Sequence, residues 1–150
     1  MFKPEEVRSA FPEGVFREAA TGEELAEAER QLGHHLPSQL RELYLSFNGF
    51  QGPTNAPFLF PLLERPGPSG ESLVTYTLFL RGEGYFPNWV QRAIAFGENG
   101  TGAAWLMIID ESDRLVRWDA EWEDYEAVDG SLLEAWKEEK ALYDSLRPGA

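Results

Sequence analysis

The sequence contains no cysteine and only two histidines among its 150 residues. The missing thiols exclude disulfide bonds, cysteine nucleophiles and thiolate metal sites, and they are compatible with a reducing compartment. The longest apolar run, Ala103 to Ile109, is far shorter than the roughly 20 residues that a membrane-spanning helix needs. The first residues also lack the apolar core of a signal peptide. We therefore expect a soluble, cytoplasmic protein with no membrane partner.

Basic residues are scarce as well. The chain has 13 lysines and arginines against 26 aspartates and glutamates, a net charge of −13. Because phosphate backbones repel such a chain, nucleic acid is not an expected partner. Residues 110–144 hold four of the basic and thirteen of the acidic residues, so most of the excess is local. The hydrophobic content of 43% is typical of a folded protein, and we expect residues 1–150 to form a single domain.

Large aromatic residues alternate with carboxylates between residues 118 and 126. Tryptophan and tyrosine are common in cores, but they are also the residues that most often anchor protein interfaces. Complementary charge speeds the association of two proteins and disfavours wrong partners. We therefore predict that this stretch binds a basic protein. The predicted partner-binding residues are Trp118, Asp119, Glu121, Trp122, Glu123, Asp124 and Tyr125.

Two helices are predicted in the first third of the chain. Thr21 and Glu24 form a capping box, so a helix begins near Gly22, and Gly33 is a typical C-terminal stop. Pro37 suits the first turn of a second helix. That helix carries an apolar stripe and is expected to continue until Asn48 and Gly49.

Three short runs separated by turn signals predict an antiparallel meander: Ala93–Phe96, Ala103–Ile109 and Leu115–Trp118. The middle run is apolar at every position, as expected of a central strand that is covered on both faces. The stretch Leu73–Leu80 fits a strand or a helix, and we favour a helical turn. The predicted fold class is α+β, with helices packed on a mainly antiparallel sheet.

The chain is expected to end in a helix. Ser131 and Glu134 form a second capping box. The predicted buried side of this helix consists of Leu132, Trp136, Tyr143 and Leu146.

Signals for catalysis or metal binding are weak. His34 and His35 are adjacent, so they cannot form the i, i+4 pair of a helical zinc site. The acidic residues 110–113 lack the ligand spacing of a calcium loop, and the glycine-rich run 97–102 lacks the lysine of a phosphate-binding loop. Carboxylates near Trp118 could serve glycoside hydrolysis, but their spacing selects no pair. We expect no enzymatic activity, no metal and no cofactor.

Three segments carry a family resemblance. They read TGEELAEAERQLGHHLPSQLRELYLSFNG, AIAFGENGTGAAWLMIID and RLVRWDAEWEDYEAVDGSLLEAWKEE. Over residues 14–146 the chain resembles the SUKH superfamily, the Smi/Knr family, whereas residues 64–88 match no part of that pattern. The most specific positions are Leu36, Pro37, Asn48, Gly49, Phe96, Gly97 and Gly102.

The resemblance implies an α+β domain with a binding role. Bacterial members of the family are typically immunity proteins that neutralise toxins such as nucleases and deaminases, and a fungal member regulates cell-wall synthesis through protein contacts. Together with the acidic stretch, the resemblance favours a non-enzymatic immunity protein that binds a basic toxin domain. The alternative is a regulatory or scaffold protein whose partner is not a toxin.

Overall fold

The computed structural model describes residues 1–63, 71–82, 87–100, 102–109, 114–119 and 124–146. Within these ranges the helices are α1 (Pro4–Ala10), α2 (Gly22–Leu32), α3 (Ser38–Tyr44), α4 (Leu73–Gly82) and α5 (Leu132–Leu146). The strands are β1 (Val15–Phe16), β2 (Phe50–Gln51), β3 (Ala93–Glu98), β4 (Ala103–Ile108), β5 (Arg114–Asp119) and β6 (Asp124–Ala127). Short 3-10 helices occupy Pro53–Asn55 and Asn88–Arg92. The mixture of helices and antiparallel strands confirms the α+β class.

Helix α2 follows its sequence signals closely. The Thr21 hydroxyl accepts a hydrogen bond from the Glu24 N–H, and the Glu24 carboxylate accepts one from the Thr21 N–H, both at 3.0 Å. Gly33 ends the helix with a φ of 84°, a conformation that favours glycine. Helix α3 stops at Tyr44, earlier than predicted: the Ser46 N–H bonds the Leu43 carbonyl three residues back, and the Asn48 N–H bonds the Glu18 carbonyl outside the helix.

The central element is a four-stranded antiparallel meander in the order β3-β4-β5-β6. Its first three strands confirm the prediction, and all six residues of β4 are buried, as expected of a covered central strand. The fourth strand, β6, lies in the acidic stretch and was not predicted as a strand. Its residues pair with β5 in the register Arg117↔Glu126 and Trp118↔Tyr125.

The sheet separates two clusters of buried side chains. Alternate residues of β4 point to opposite faces, so Trp105 and Met107 join the larger cluster while Leu106 and Ile108 join the smaller one. Helices α1, α2, α3 and α5 contribute to the larger cluster. The smaller cluster is completed by residues of α4 and of the 3-10 helix Asn88–Arg92. Both faces of the sheet are therefore covered by helical elements.

Helix α4 confirms the helical interpretation of residues 73–80 and packs along β3. The Thr77 hydroxyl accepts a hydrogen bond from the Ala95 N–H at 2.9 Å. The terminal helix α5 follows the prediction only in part. Trp136 is fully buried, but Leu146 is 72% exposed, so its predicted burial is wrong. The buried side of α5 ends at Glu139, and most residues beyond it are exposed.

Candidate functional site

The predicted partner-binding residues lie around the junction of β5 and β6. Trp118 and Asp119 end β5, and Asp124 and Tyr125 begin β6. These four residues pair across the two strands as Trp118↔Tyr125 and Asp119↔Asp124. The side chain of Asp124 and the whole of Glu121, Trp122 and Glu123 lie outside the described residues.

The pleat of the strands divides this stretch between two faces. Residues that pair across neighbouring strands point to the same face, and successive residues point to opposite faces. Trp118 and Tyr125 therefore share one face, with ring centroids 6.1 Å apart. Trp89 packs against both rings, at 5.7 Å from Trp118 and 5.1 Å from Tyr125. Trp118 is only 1% exposed and belongs to the core, whereas Tyr125 is 49% exposed.

The opposite face forms one side of a groove of about 540 Å³. Strands β4 to β6 and the preceding turn provide one wall, and the C-terminal half of α5 provides the other. The residues that line the groove are Asn99, Ala103, Arg117, Asp119, Tyr125, Glu126, Glu139, Leu142, Tyr143 and Leu146. Asp119 and Tyr125 are the two predicted residues among them; Tyr125 belongs to the aromatic face and borders the groove at the edge of the sheet.

A network of hydrogen bonds and ion pairs forms the floor of the groove. The Glu139 side chain is only 8% exposed, and its Oε1 accepts a hydrogen bond from Asn99 Nδ2 at 2.9 Å. Its Oε2 lies 3.5 Å from Arg117 Nη1. Arg117 Nη2 also donates to Glu126 Oε2 at 2.5 Å. One oxygen of the buried Glu139 carboxylate thus has a hydrogen bond and the other a cationic partner, which is the usual condition for burying a charge.

The Asn99 side chain connects this floor to the glycine-rich turn between β3 and β4. Its Oδ1 accepts a hydrogen bond from the Ala103 N–H at 3.2 Å, while its Nδ2 donates to Glu139. Asn99 is 4% exposed. The predicted strand-to-strand turn is therefore confirmed, and in addition it links the sheet to α5.

The groove combines a charged floor with an apolar rim. Leu142 is 54% exposed and Leu146 is 72% exposed, although both line the groove. The lining carries three carboxylates against one guanidinium. A concave surface with exposed apolar residues and a surplus of one charge is typical of a protein-binding site.

The positions of the histidines and carboxylates in the described part of the chain bear on metal binding. Within the described ranges, no group of three or more histidine and carboxylate side chains could hold a metal ion. Arg81 Nη2 lies 2.7 Å from His34 Nε2, and His35 Nδ1 lies 3.4 Å from Glu29. Both histidines thus have structural contacts at the end of α2. The acidic residues 110–113 lie outside the described residues.

Sequence reasoning missed the contribution of α5 to this site. Glu139, Leu142 and Leu146 are spaced at i, i+3 and i+7, which places them on one side of a helix. That spacing was available from the sequence. What it did not reveal was that β5 and β6 lie opposite, because only the tertiary packing brings Arg117 to Glu139.

Comparison with known proteins identifies a protein family. The model of a family described as SMI1 / KNR4 family (SUKH-1) matches residues 19–142. The matched range extends from the residues before α2 into α5 and includes the whole meander. A search of curated proteins finds no match. None of the helices in the described ranges combines the length and the apolar character needed to cross a membrane.

Proposed function

The chain belongs to the SMI1/KNR4 family (SUKH-1), and from this membership we propose that it is an immunity protein that binds and neutralises a cognate bacterial toxin domain. The family supports an immunity role or a Smi/Knr-type interaction role in general. We assign the toxin-binding surface to the groove between β5, β6 and α5. Its apolar rim and its surplus of carboxylates suit a basic protein partner.

The proposed mechanism is occupation of the toxin's basic active site. Nuclease sites present lysine and arginine to phosphate groups, and carboxylates held on a rigid sheet can take the place of those phosphates. Asp119 and Glu126 lie on such a sheet, and Glu126 has 66% of its side chain exposed. Glu121, Glu123 and Asp124 extend the same acidic stretch in the sequence and remain part of the proposed surface.

Aromatic residues provide the proposed anchors. Tyr125 is half exposed at the edge of the sheet, and Trp122 is the second proposed anchor in this stretch. Trp118 is buried, so we assign it the role of supporting the Tyr125 ring from beneath. Large aromatic side chains at such positions typically contribute most of the binding energy of an interface.

Co-expression with the toxin encoded beside this gene tests the proposal. The wild-type protein is expected to restore growth, and the double variant Asp119→Lys/Glu126→Lys is expected to lose this protection while remaining folded. The control is Glu18→Lys/Glu23→Lys, which changes the net charge equally at exposed residues outside the groove lining. Equal protection by both double variants would contradict the role of the groove.

The same experiments distinguish a toxin partner from a cellular one. If no neighbouring toxin is neutralised and a pull-down from the source cell returns only housekeeping proteins, the protein is a regulator or scaffold of the Smi/Knr type. That result would contradict the immunity function but not the protein-binding role of the family.

A further inference from the structure

The two edges of the meander differ in how they are covered. On the β3 side, the Phe60 N–H donates to the Phe96 carbonyl at 2.7 Å, and the Glu98 N–H donates to the Pro57 carbonyl at 3.0 Å. On the β6 side, Tyr125, Glu126 and Ala127 are all exposed. An exposed edge strand presents backbone groups that can pair with another chain.

The hydrogen-bond pattern identifies which groups of β6 face outward. The Val128 N–H donates to the Leu115 carbonyl at 2.9 Å, so this pair is a hydrogen-bonded pair of the antiparallel ladder. Because such pairs alternate, Arg117 and Glu126 form the next one. The N–H and C=O groups of Tyr125 and Ala127 therefore point away from β5, toward the open edge.

The two faces of β6 favour different side chains in an added strand. Glu126 lies on the groove face, where its neighbour Arg117 is shared with Glu139. A residue opposite Glu126 would occupy a non-hydrogen-bonded pair, in which side chains approach most closely, and the surplus of carboxylates in the groove favours a basic residue there. Residues opposite Tyr125 and Ala127 would lie on the aromatic face beside Trp89, which favours apolar side chains.

From these observations we propose that the protein partner adds an extended segment to β6 as a further strand of the sheet. The segment has a basic residue opposite Glu126 and apolar residues opposite Tyr125 and Ala127. Main-chain hydrogen bonds provide the affinity of such an addition, and the alternating side chains provide its specificity. This inference rests on the proposed binding of a basic partner and specifies the chemistry of the segment that is bound.

A synthetic nine-residue peptide that alternates valine and arginine is the probe. We expect it to bind the full-length protein and to slow hydrogen exchange at the Tyr125 and Ala127 amides about tenfold or more. The Glu126 amide already bonds β5 and should change little. A matched peptide with glutamate in place of arginine is expected to bind at least about tenfold more weakly, because two or more neighbouring carboxylates repel it.

N-methylated peptides test the backbone pairing itself. In the proposed register the valine N–H groups face β6 and the arginine N–H groups face solvent. N-methylation of the valines should therefore weaken binding about tenfold or more, since two main-chain hydrogen bonds are lost, whereas N-methylation of the arginines should have little effect. The variant Ala127→Pro removes an outward N–H and should weaken binding similarly, whereas Ala127→Val should not.

Three results would overturn the strand addition: equal binding by the two N-methylated peptides, binding without protection of Tyr125 and Ala127, and no binding of the valine–arginine peptide at millimolar concentration. Each of these leaves the proposed function standing if Asp119→Lys/Glu126→Lys still abolishes protection against the toxin. If the wild-type protein failed to protect against the toxin but still paired with the peptide, the proposed function would be contradicted and the strand addition would stand.

Discussion

Replacing Gly97 by alanine should destabilise the fold strongly, because β3 and the segment before it are in direct backbone contact there. A Cβ atom added at Gly97 would lie 1.9 Å from the Phe58 carbonyl oxygen and 2.5 Å from its carbonyl carbon. Relief of this overlap needs a shift of more than about 1 Å, since ordinary carbon–oxygen contacts begin near roughly 3.3 Å. Both atoms belong to the backbone, so no side-chain rotation can provide that shift.

The magnitude follows from the contacts that the shift would break. The bonds from Phe60 to Phe96, at 2.7 Å, and from Glu98 to Pro57, at 3.0 Å, lie on either side of the contact. Each is worth about 1 kcal/mol net, and more if a buried partner is left unsatisfied. Displacement of the fully buried Phe58 adds a packing cost of about 1–3 kcal/mol. We therefore expect Gly97→Ala to lower the free energy of unfolding by about 3–5 kcal/mol.

Urea unfolding followed by circular dichroism measures this effect. The midpoint should fall while the slope of the transition is unchanged. Gly22→Ala is the control, because a Cβ atom there meets nothing within 4 Å. We expect its effect to stay within about 0.5 kcal/mol. If Gly97→Ala were equally mild, the close contact between β3 and Phe58 would be refuted.

Three further predictions concern stability. Trp136→Ala should cost about 3–5 kcal/mol in urea unfolding, because the fully buried indole ring packs among phenylalanines of the larger cluster; a cost under about 1 kcal/mol would contradict this packing. Thr21→Ala should cost about 1 kcal/mol through loss of the cap of α2, and Thr21→Ser should restore most of it. Burial alone raises the pKa of Glu29, but hydrogen bonds from the Leu36 N–H and from Arg41 outweigh burial and lower it. The stabilisation by Glu29 is thus complete above the ordinary glutamate pKa and is lost as the pH falls through the lowered one, so the advantage of wild type over Glu29→Gln should shrink on acidification.

Helices α2, α3 and α5 and the first three strands of the meander were predictable because their signals are local, whereas α1 was not predicted. Thr21 and Gly33 are the residues that cap α2, and Glu24 lies in its first turn, so both ends of this helix could be predicted from neighbouring residues. The uniform burial of β4 likewise follows from its uninterrupted apolar run. Local signals of this kind need no knowledge of the rest of the fold.

Elements that depend on tertiary pairing could not be predicted. Strands β1 and β2 have two residues each, which is too short for any periodicity to appear. Acidic residues are poor strand formers, so the composition of residues 124–127 did not indicate a strand. Their extended conformation depends on pairing with β5. In α5, the spacing of apolar residues predicted that Leu146 would be buried, but the core ends before that residue is reached.

The candidate site was predictable in its acidic character but not in its arrangement. The sequence places aromatic and acidic residues next to each other, whereas the pleat sends Trp118 and Tyr125 to one face and leaves Asp119 on the groove. A single mixed surface was expected, and the described residues instead form a charged face and an aromatic face that meet at an edge. Recognition of that division required the strand register.

The rate at which the protein associates with its toxin, measured at low and high salt, is the decisive test of toxin binding by the acidic groove. We expect fast association of the wild-type protein that slows steeply as salt is added, because screening weakens the attraction between the acidic groove and a basic toxin. For Asp119→Lys/Glu126→Lys we expect slow association with a much weaker dependence on salt, while Glu18→Lys/Glu23→Lys should keep most of the wild-type rate and salt dependence. An unchanged rate and salt dependence in the folded groove variant would contradict the assignment of this surface to toxin binding.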